Sequence, residues 1–358
     1  MLEDTNVTIE DVAREAMVSV ATVSRVVNES GRVSEATARR VRQAIDKLGY
    51  VPNPSARNLR RGESKVVLIM VPNFTNPYYS HILSGICDAA QFLGYSAFIS
   101  SDKDANQEKI FTSMMEGRRA DGTIFLTCCY DDAWLGKYVD RYPIVQCAEA
   151  VDNVPLPYVS IDNYGAMCEL VRHVRQLGHE KIAYVNIENR FLSTRQRKQG
   201  YCDSVSGGPS GRPVRSEYVV GTEDYSYESG IAAAERLLSL QDRPTAILCG
   251  SDMLALGVVS KARELGLSVP GELSVTGFDD VDYAKMFHPY ITTVAQPCYE
   301  LGWTSMQKLK DCIEKAENDN VHIVMPHKLK LRESTAGPEN TWYLHYYSPH
   351  ARASQANT

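Results

Sequence analysis

Residues 8–28 read TIEDVAREAMVSVATVSRVVN and contain two short helix patterns separated by a very short break. Thr8 followed by Asp11 is a helix-start signature, because the hydroxyl and the carboxylate can satisfy free backbone N–H groups of the first turn. Apolar residues recur at helical spacing on both sides of Ser19, which can cap the second helix. The pattern predicts a helix-turn-helix, a unit whose second helix can enter the major groove of DNA.

A third helix pattern completes the N-terminal segment. Ser34 can cap it, Val41 and Ile45 belong to its apolar stripe, and Gly49 can end it. Three short helices then fill about 45 residues. Arg25 on the second helix is able to make a bidentate contact to guanine O6 and N7. A small helical bundle without a ligand is the alternative interpretation.

Charge is unevenly distributed along the chain. The 358 residues carry a net charge of −6, which taken globally disfavours nucleic acid as a partner. Residues 1–65, however, hold 11 Lys and Arg against 9 Asp and Glu, whereas the remainder holds 27 against 35. A basic segment attached to an acidic remainder is typical of a small domain that meets a polyanion.

A fourth short helix is predicted at about 53–61. Asn53 is a good N-cap, Pro54 suits the first helical position and Gly62 suits the end. A helix this short is marginal alone in water and needs a partner, either its copy in a dimer or DNA. Leu59 lies among arginines, so it is either an ordinary exposed leucine in a linker or a wedge in the minor groove.

The N-terminal segment resembles the head of the LacI/GalR family of bacterial repressors. The match covers residues 7–16 and 18–28 and continues through 49–53 and 56–59. The resemblance implies a DNA-binding domain at 1–62 with a hinge helix at about 53–61, in which Leu59 intercalates and Ala56 contacts the minor groove beside it. The residues expected to contact DNA are Thr8, Ser19, Val20, Ala21, Thr22, Ser24, Arg25, Asn28, Arg32, Ala56, Arg57, Leu59 and Arg60.

The rest of the chain alternates strand-like and helix-like segments. Apolar runs such as 65–71, 122–128 and 245–249 alternate with helical patterns such as 77–93 and 164–177. This order predicts an α/β body of two doubly wound parallel-sheet subdomains, joined to the all-α helix-turn-helix head. Ligands of such sheets bind beyond the carboxyl ends of the strands, so two facing halves would share one cleft.

Polar and aromatic residues recur just after the predicted strands. Carboxylates, arginine, asparagine and aromatic planes together suit a hydroxyl-rich ligand. Each residue taken singly is equally a helix cap or a loop residue, and Asp252 before Met253 is predicted to be an N-cap. The candidates for the effector site are Asn76, Tyr78, Tyr79, Asp162, Arg197, Tyr225, Ser251, Asp279 and Gln296.

The body also resembles the LacI/GalR effector domain, which is similar to periplasmic sugar-binding proteins. The resemblance implies that Arg197 and Asp279 clamp ligand hydroxyls, that three tyrosines form aromatic walls, and that Asp162, Ser251 and Gln296 add hydrogen bonds. It places an effector domain at 63–337, with crossovers near 161, 295 and 326. The implied subdomains are 63–161 plus 296–325, and 162–295 plus 326–337, followed by a flexible tail at 338–358.

Several function classes have little support in the sequence. No apolar run approaches the ~18 residues that span a bilayer, and the acidic N-terminus lacks a signal-peptide pattern, so a cytoplasmic protein is expected. Nine cysteines without metal-ligand spacing indicate free thiols, and neither a metal nor a cofactor is expected. Motifs of nucleophile elbows and phosphate loops are missing, so the chain is not expected to be an enzyme.

The sequence therefore predicts an effector-controlled transcription factor. Two heads would bind a pseudo-palindromic operator in double-stranded DNA, which requires a homodimer. The sequence shows no C-terminal heptad repeat that would favour a tetramer, so a dimer is expected. The effector is expected to be a small molecule, a sugar or a nucleoside. A solute-binding receptor of a transport system is the alternative, opposed by the head and by the missing export signal.

Overall fold

The computed structural model describes residues 7–28, 30–51, 63–101, 106–126, 132–151, 153–189, 191–207, 213–315 and 318–338. The chain divides into two compact units, one ending at Ser64 and the other beginning at Lys65, which we call the head and the body. The predicted hinge helix and residues 339–358 of the predicted tail lie outside the described residues.

The head contains three helices whose starts the sequence predicts correctly. They are α1 (Ile9–Glu15), α2 (Val20–Val27) and α3 (Glu35–Leu48). Thr8 Oγ1 accepts a hydrogen bond from Asp11 N at 3.3 Å, and Asp11 Oδ2 accepts one from Thr8 N at 3.0 Å. The hydroxyls of Ser19 and Ser34 cap α2 and α3 by accepting hydrogen bonds from Thr22 N at 3.2 Å and from Thr37 N at 3.3 Å. The head thus has the helix-turn-helix order that the capping residues indicate.

Small apolar side chains hold the head together. Val12, Val23 and Val41, one from each helix, are fully buried and belong to one cluster. Alanines fill the space between them, so the helices approach closely. The turn between α1 and α2 contains Met17 with a positive φ of 53°. This compact core fixes the direction in which the outer face of α2 points.

The body contains two six-stranded sheets and their helices. The strands are β1 (Val66–Val71), β2 (Ser96–Ser101), β3 (Gly122–Phe125), β4 (Ile144–Cys147), β5 (Tyr158–Ile161), β6 (Ile182–Ile187), β7 (Val219–Thr222), β8 (Ala246–Cys249), β9 (Ser274–Asp279), β10 (Thr292–Ala295), β11 (His322–Met325) and β12 (Lys328–Lys330). The helices are α4 (Pro77–Phe92), α5 (Asn106–Met115), α6 (Asp132–Gly136), α7 (Asn163–Gln176), α8 (Leu192–Ser206), α9 (Tyr227–Leu238), α10 (Asp252–Glu264) and α11 (Cys298–Lys315). Two 3-10 turns are Ser216–Tyr218 and Asp282–Lys285.

The first sheet has the strand order β11-β5-β4-β3-β1-β2, and all its pairings are parallel. The second has the order β12-β10-β9-β8-β6-β7 and is parallel except for β12. The antiparallel edge follows from the path of the chain. It leaves β11 at that strand's carboxyl end and reaches β12 after two residues, too few for a crossover helix, so β12 runs back against its neighbours.

The chain passes between the sheets at three places. β5 belongs to the first sheet, and α7 after it packs on the second. β10 belongs to the second sheet, and α11 after it packs on the first. β11 and β12 make the third passage. We call each sheet with its helices a lobe. Because the parallel strands of both lobes end near these passages, their carboxyl ends border one cleft.

Each sheet is covered on both faces by apolar side chains. In β1, Val67 and Ile69 belong to one buried cluster, whereas Leu68 and Met70 belong to another on the opposite face. This alternation follows from the two-residue period of a strand. The continuous apolar strands of the sequence are therefore buried on both sides, as parallel sheets require.

One predicted helix cap is wrong. Asp252 does not cap α10; Ser251 does, because its Oγ accepts a hydrogen bond from Leu254 N at 3.2 Å. Asp252 is instead fully buried, and its carboxylate accepts hydrogen bonds from Thr293 Oγ1 at 2.6 Å and from Val281 N at 2.8 Å. The sequence offers two adjacent capping residues, and the strands packed beside the helix decide which of them is used.

Candidate functional site

The outer face of α2 is the first candidate site, and it lies wholly within the head. Ala21 and Arg25 are exposed, while Val20 and Thr22 are partly exposed. The opposite face of the helix is fixed by Val23 in the core. A rigid helix therefore presents one long cation beside small side chains, which is the geometry of a major-groove reading surface.

Polar contacts inside the head order several of the predicted DNA-contacting residues. Asn28 donates from Nδ2 to the carbonyl oxygen of Ser24 at 2.7 Å and to its hydroxyl at 3.2 Å, which finishes α2. Ser19 and Thr22 share a hydroxyl contact of 2.9 Å at the start of the same helix. Arg32 is exposed after the helix. The other predicted DNA contacts lie outside the described residues; they are Ala56, Arg57, Leu59 and Arg60.

The second candidate site is the cleft of the body, and Arg197 is its central cation. Arg197 lies in α8 and is only 5% exposed. Its Nε donates to Asn163 Oδ1 at 2.8 Å, and its Nη1 donates to the Gly250 carbonyl at 2.8 Å. Its guanidinium carbon lies 3.8 Å from the centre of the Phe278 ring. Three elements of the second lobe therefore hold the guanidinium in one orientation.

Buried carboxyl groups surround this arginine. Burial raises the pKa of Asp279 to about 7, although Arg197 and a hydrogen bond from Gln296 oppose the rise. Burial lowers the pKa of Arg197, but the net shift is upward because Tyr225, Asp279 and Glu149 are close, so the guanidinium stays charged. A carboxyl that titrates near neutral pH beside a permanent cation is an arrangement that marks binding sites.

A hydrogen-bonded chain links the two lobes at this cleft. Gln296 follows β10 and donates from Nε2 to Asp279 Oδ1 at 2.8 Å. The Tyr78 hydroxyl, in α4 of the first lobe, donates to Gln296 Oε1 at 3.3 Å. Burial raises the pKa values of both Tyr78 and Tyr79, and the charges of Asp279, Arg197 and Glu149 also act on them. The structure thus brings six of the predicted effector residues, Tyr78, Tyr79, Arg197, Tyr225, Asp279 and Gln296, into one site.

Asn76, Asp162 and Ser251 have a different local role. Each side chain caps a helix: Asn76 caps α4, Asp162 caps α7 and Ser251 caps α10. Asp162 is exposed, and its neighbour Asn163 is the residue that holds Arg197. Asn76 and Ser251 are buried at the helix starts that border the cleft.

Sequence reasoning missed Glu149, Asn163 and Ser193. Glu149 follows β4 in the first lobe and is 7% exposed, and its carboxylate accepts a hydrogen bond from Ser193 in the first turn of α8. Burial raises the pKa of Glu149, while Arg197 and the Ser193 hydroxyl oppose the rise. The signal was available, since a glutamate directly after an apolar strand lies at the same sheet edge as the other candidates.

A cavity of about 470 Å³ opens around the start of β6, at the opposite end of the second sheet. Lys181 and Arg215 line it together with Asp242. Asp242 pairs with Lys181 at 2.5 Å and with Arg215 at 2.6 Å. These charges satisfy one another, so the cleft is the stronger candidate for a ligand site.

No helix in the described ranges is long and apolar enough to cross a membrane. The same ranges contain no group of three or more His, Cys, Asp or Glu side chains placed to hold a metal ion.

Comparisons with known proteins match both units of the chain. Residues 8–53 match the model of bacterial regulatory proteins of the lacI family, and residues 171–335 match a periplasmic binding protein-like domain. Catabolite control protein A of Priestia megaterium is 36% identical over 333 residues, which cover 92% of this chain and 99% of that protein. The lac repressor dimer bound to operator and the anti-inducer ONPF is similar with a TM-score of 0.81 and 27% identity, covering 93% of this chain and 100% of that one. A complex of the transcriptional regulator CelR with cellobiose has a TM-score of 0.70 and 29% identity, covering 92% and 99%.

The helix-turn-helix head and the two-sheet body with its polar cleft define a DNA-binding transcriptional regulator with a ligand-binding domain. The chain belongs to the lacI family of bacterial regulatory proteins. The predicted fold class, a helix-turn-helix head joined to a body like the periplasmic binding proteins, is confirmed. The relatives are regulators of transcription, and no family of enzymes is indicated.

Proposed function

We propose that this protein is a repressor that reads its operator with α2. Arg25 makes the bidentate contact to guanine, and the small side chains of Val20 and Ala21 fit against thymine methyl groups. Thr8, Ser19, Thr22, Ser24 and Asn28 contact the DNA around the same helix, and Arg32, Arg57 and Arg60 contact phosphates. The observation that carries this proposal is the exposed Arg25 on a helix whose other face is fixed in the core.

The proposed assembly is a homodimer on a pseudo-palindromic operator. Its support is the similarity to the lac repressor dimer bound to operator. Two heads related by a two-fold axis require two half-sites. Leu59 from each subunit wedges a central base step, and Ala56 contacts the minor groove beside it. The working compartment of such a regulator is the cytoplasm.

The proposed effector is a small molecule, a sugar or a nucleoside, bound between the lobes of the body. Arg197 and Asp279 clamp its hydroxyl groups, Tyr78, Tyr79 and Tyr225 enclose it, and Asn76, Asp162, Ser251 and Gln296 complete the hydrogen bonds. The observation that carries this proposal is the buried Arg197, which two hydrogen bonds hold beside a carboxyl with a pKa near 7. The CelR complex with cellobiose, a neutral sugar, supports it.

The proposed control is a shift between two arrangements of the lobes. An effector that contacts Asp279 in one lobe and Tyr78 in the other binds best when the cleft is closed. Differential affinity of a few kcal/mol is enough to shift such an equilibrium. Because the hinge helix predicted at about 53–61 would be short, and helices of that length are marginal in water, its folding can follow the spacing of the lobes.

The experiment is a measurement of operator affinity with the full chain. An operator is first selected from random duplexes, and binding is then followed by fluorescence anisotropy at fixed salt with and without mono- and disaccharides and nucleosides. We expect one effector to change the affinity by at least tenfold, and Arg197→Ala to abolish that change while leaving effector-free binding intact. Equal affinity with every effector would contradict the switch.

The same experiment separates the alternative, a solute-binding receptor of a transport system. The match of residues 171–335 to a periplasmic binding protein-like domain favours a ligand-binding body in both cases. A receptor would bind the solute but select no operator, whereas a regulator binds both.

A further inference from the structure

The last described residues of the chain leave the body beside the cavity at the start of β6. Ala336 N donates to Ser274 Oγ at 3.0 Å, and His179 Nε2 donates to the Ala336 carbonyl at 2.7 Å. A Cβ placed at Gly178 would lie 3.6 Å from Pro338 Cδ. Gly178 and His179 both line the cavity. The chain beyond Pro338 therefore starts at the rim of this cavity.

Residues 339–358, which follow, have a composition that is unusual for a solvated tail. Four of the six residues 342–347 are Trp or Tyr, whereas aromatic residues make up 9% of the chain. Segments that stay disordered contain few aromatic residues, because each one buries about 150–250 Å² of surface when it packs. Residues 339–358 also carry only one glutamate and one arginine. The family resemblance implies a flexible tail, but this composition favours a segment that packs on a surface.

The cavity has the size and the lining of a site for aromatic side chains. Its volume of about 470 Å³ is within the range of about 300–1,000 Å³ found for pockets that hold drug-sized molecules. Apolar atoms of Val205 and Pro213 line it, and both residues are accessible. Arginine and lysine side chains attract aromatic faces within about 6 Å. Three such cations line the cavity, namely Arg175, Lys181 and Arg215.

The charges around the cavity are already paired, which disfavours an ionic occupant. Asp242 pairs with Lys181 at 2.5 Å and with Arg215 at 2.6 Å, and Arg215 also lies 2.8 Å from Glu217. A phosphate or another anion would have to compete with these carboxylates for the same cations. An uncharged aromatic segment instead packs on the aliphatic stems and the guanidinium face and breaks no pair.

The tail of the same chain can reach the cavity without strain. Trp342 is four residues beyond Pro338, a stretch that spans at most about 14 Å when it is extended. The cavity begins at Gly178, next to Pro338, so this length is enough to place the indole inside. A short tether also gives the tail an effective concentration of about millimolar, which a separate peptide or a second copy has to supply from solution.

We propose that residues 342–347 of this chain dock in the cavity at the start of β6 and close that end of the second lobe. The occupant is the protein's own tail, held by aromatic packing and by cation–π contacts. The proposal concerns the end of the lobe opposite the cleft, so it is independent of the effector and of the operator.

The first test is digestion of the full chain by chymotrypsin, which cleaves after aromatic residues. Cleavage within residues 342–347 is followed by mass spectrometry and compared with cleavage of a synthetic peptide of residues 339–358. Because proteolysis follows the population of the released tail, we expect cleavage in the full chain to be at least about tenfold slower. Equal rates in the chain and the peptide would refute the docking.

Two variants that fill the cavity show where the tail binds. Val205→Trp and Pro213→Trp each place an indole in the lining, and Pro213 is exposed, so its replacement does not disturb the core. Both should raise the cleavage rate at 342–347 toward that of the peptide. The matched control is Gly136→Trp in the first lobe, where a Cβ meets nothing within 4 Å, and its rate should equal that of the native chain. Unchanged protection in both cavity variants would contradict the proposal.

A photo-crosslinking experiment separates the chain's own tail from that of a second copy. A benzophenone amino acid replaces Trp342 in the full chain, and isotopically light and heavy chains are mixed and left to exchange subunits. We expect cross-links to residues 175–182, 201–205 or 213–218, with light joined only to light and heavy only to heavy. Peptides that join light to heavy would assign the cavity to the tail of a second copy, and cross-links confined to other segments would place the tail elsewhere. Either result would overturn the inference.

Discussion

The Glu149 carboxylate accepts a hydrogen bond from the Ser193 hydroxyl across the cleft between the two lobes. A backbone contact lies beside it, since Leu192 N donates to the Ala150 carbonyl at 3.2 Å. Glu149 follows a strand of the first sheet, and Ser193 begins a helix of the second lobe. The pair therefore joins the segment after β4 to the helix that carries Arg197, so a displacement of one lobe would shift the candidate ligand site.

Removing the donor of this pair should destabilise the body. Ser193→Ala leaves the buried Glu149 carboxylate without its hydroxyl partner, which costs about 2 kcal/mol because hydrogen bonds to charged groups are the stronger ones. Urea unfolding of the full chain measures this loss. The loss should shrink as the pH falls and Glu149 takes up a proton.

The control is Ser80→Ala, whose hydroxyl donates to the Pro77 carbonyl at 2.7 Å on the surface. Its loss should be within about 0.5 kcal/mol at every pH. If Ser193→Ala and Ser80→Ala lowered the free energy of unfolding equally, the hydrogen bond to Glu149 would not be the cause of the loss in Ser193→Ala.

Asp279 should make the stability of the body depend on pH. Its pKa in the folded chain is about 7, above the ordinary value of 3.8, so the stability it contributes is complete below pH 3.8 and disappears as the pH rises through 7. Asp279→Asn removes this dependence. We expect the variant to gain up to about 4 kcal/mol over the native chain at pH 8 and little at pH 4.

Asp282→Asn provides a control of opposite sign. A hydrogen bond from Lys285 lowers the pKa of Asp282, so its contribution is present at neutral pH and is lost in acid. The Tm of Asp282→Asn should therefore fall below that of the native chain at pH 7 and approach it in acid. A common pH profile for the two variants would contradict the assignment of the shift to Asp279.

Local signals in the sequence predict the elements well. The caps Thr8, Ser19 and Ser34 begin their helices because a capping hydroxyl acts on its own chain three residues on. Apolar runs predict the strands because strands of parallel sheets are buried on both faces. Such signals depend only on neighbouring residues, so one sequence is enough to read them.

Contacts between distant segments could not be predicted in this way. Asn163 reaches Arg197 only because α7 and α8 pack side by side, and Glu149 meets Ser193 only when both lobes are assembled. The antiparallel β12 likewise follows from the path of the chain between sheets. The positions of Arg197 and Asp279 in the cleft were expected from family resemblance, while their partners required the structure.

Arg25 should carry much of the sequence specificity of DNA binding. Loss of a bidentate contact to guanine costs about 1–3 kcal/mol, so Arg25→Ala should weaken binding to the selected operator by about 10- to 100-fold. Fluorescence anisotropy measures the affinity for the selected duplex and for a second duplex in which the contacted guanine is replaced by another base. The native chain should distinguish the two duplexes, and Arg25→Ala should not.

Arg14→Ala is the matched control, because Arg14 is an exposed cation of α1 that pairs with Asp11 at 3.1 Å. It should lower affinity for both duplexes equally, by no more than the salt-dependent contribution of one charge. Loss of discrimination in Arg14→Ala but not in Arg25→Ala would refute the assignment.

Close packing of α4 and α11 depends on a glycine. A Cβ added at Gly302 would lie 2.0 Å from the Ile82 carbonyl oxygen, a distance that real structures do not allow. Gly302→Ala must therefore push the helices apart, at a cost of about 1–3 kcal/mol. Gly136→Ala, where a Cβ would meet nothing within 4 Å, should be neutral or slightly stabilising. Urea unfolding of both variants measures the difference in stability. Equal stability of Gly302→Ala and Gly136→Ala would contradict the close packing of α4 against α11 at Gly302.

The turn of the head stores strain that a single substitution should release. Met17 has a φ of 53° in the left-handed region and is 86% exposed, so its side chain contributes little packing to offset the backbone cost. That cost is about 1–2 kcal/mol for a residue with a Cβ. Met17→Gly removes this backbone strain but increases the conformational entropy of the unfolded chain. The net gain in the free energy of unfolding should therefore be about 0.5–1 kcal/mol. Hydrogen exchange of the buried amides of Val12 and Val23 in the full chain should slow by about two- to fivefold. Met17→Ala keeps the Cβ and should give no gain, because the strain lies in the backbone; equal protection in the two variants would instead assign the effect to loss of the exposed methionine side chain.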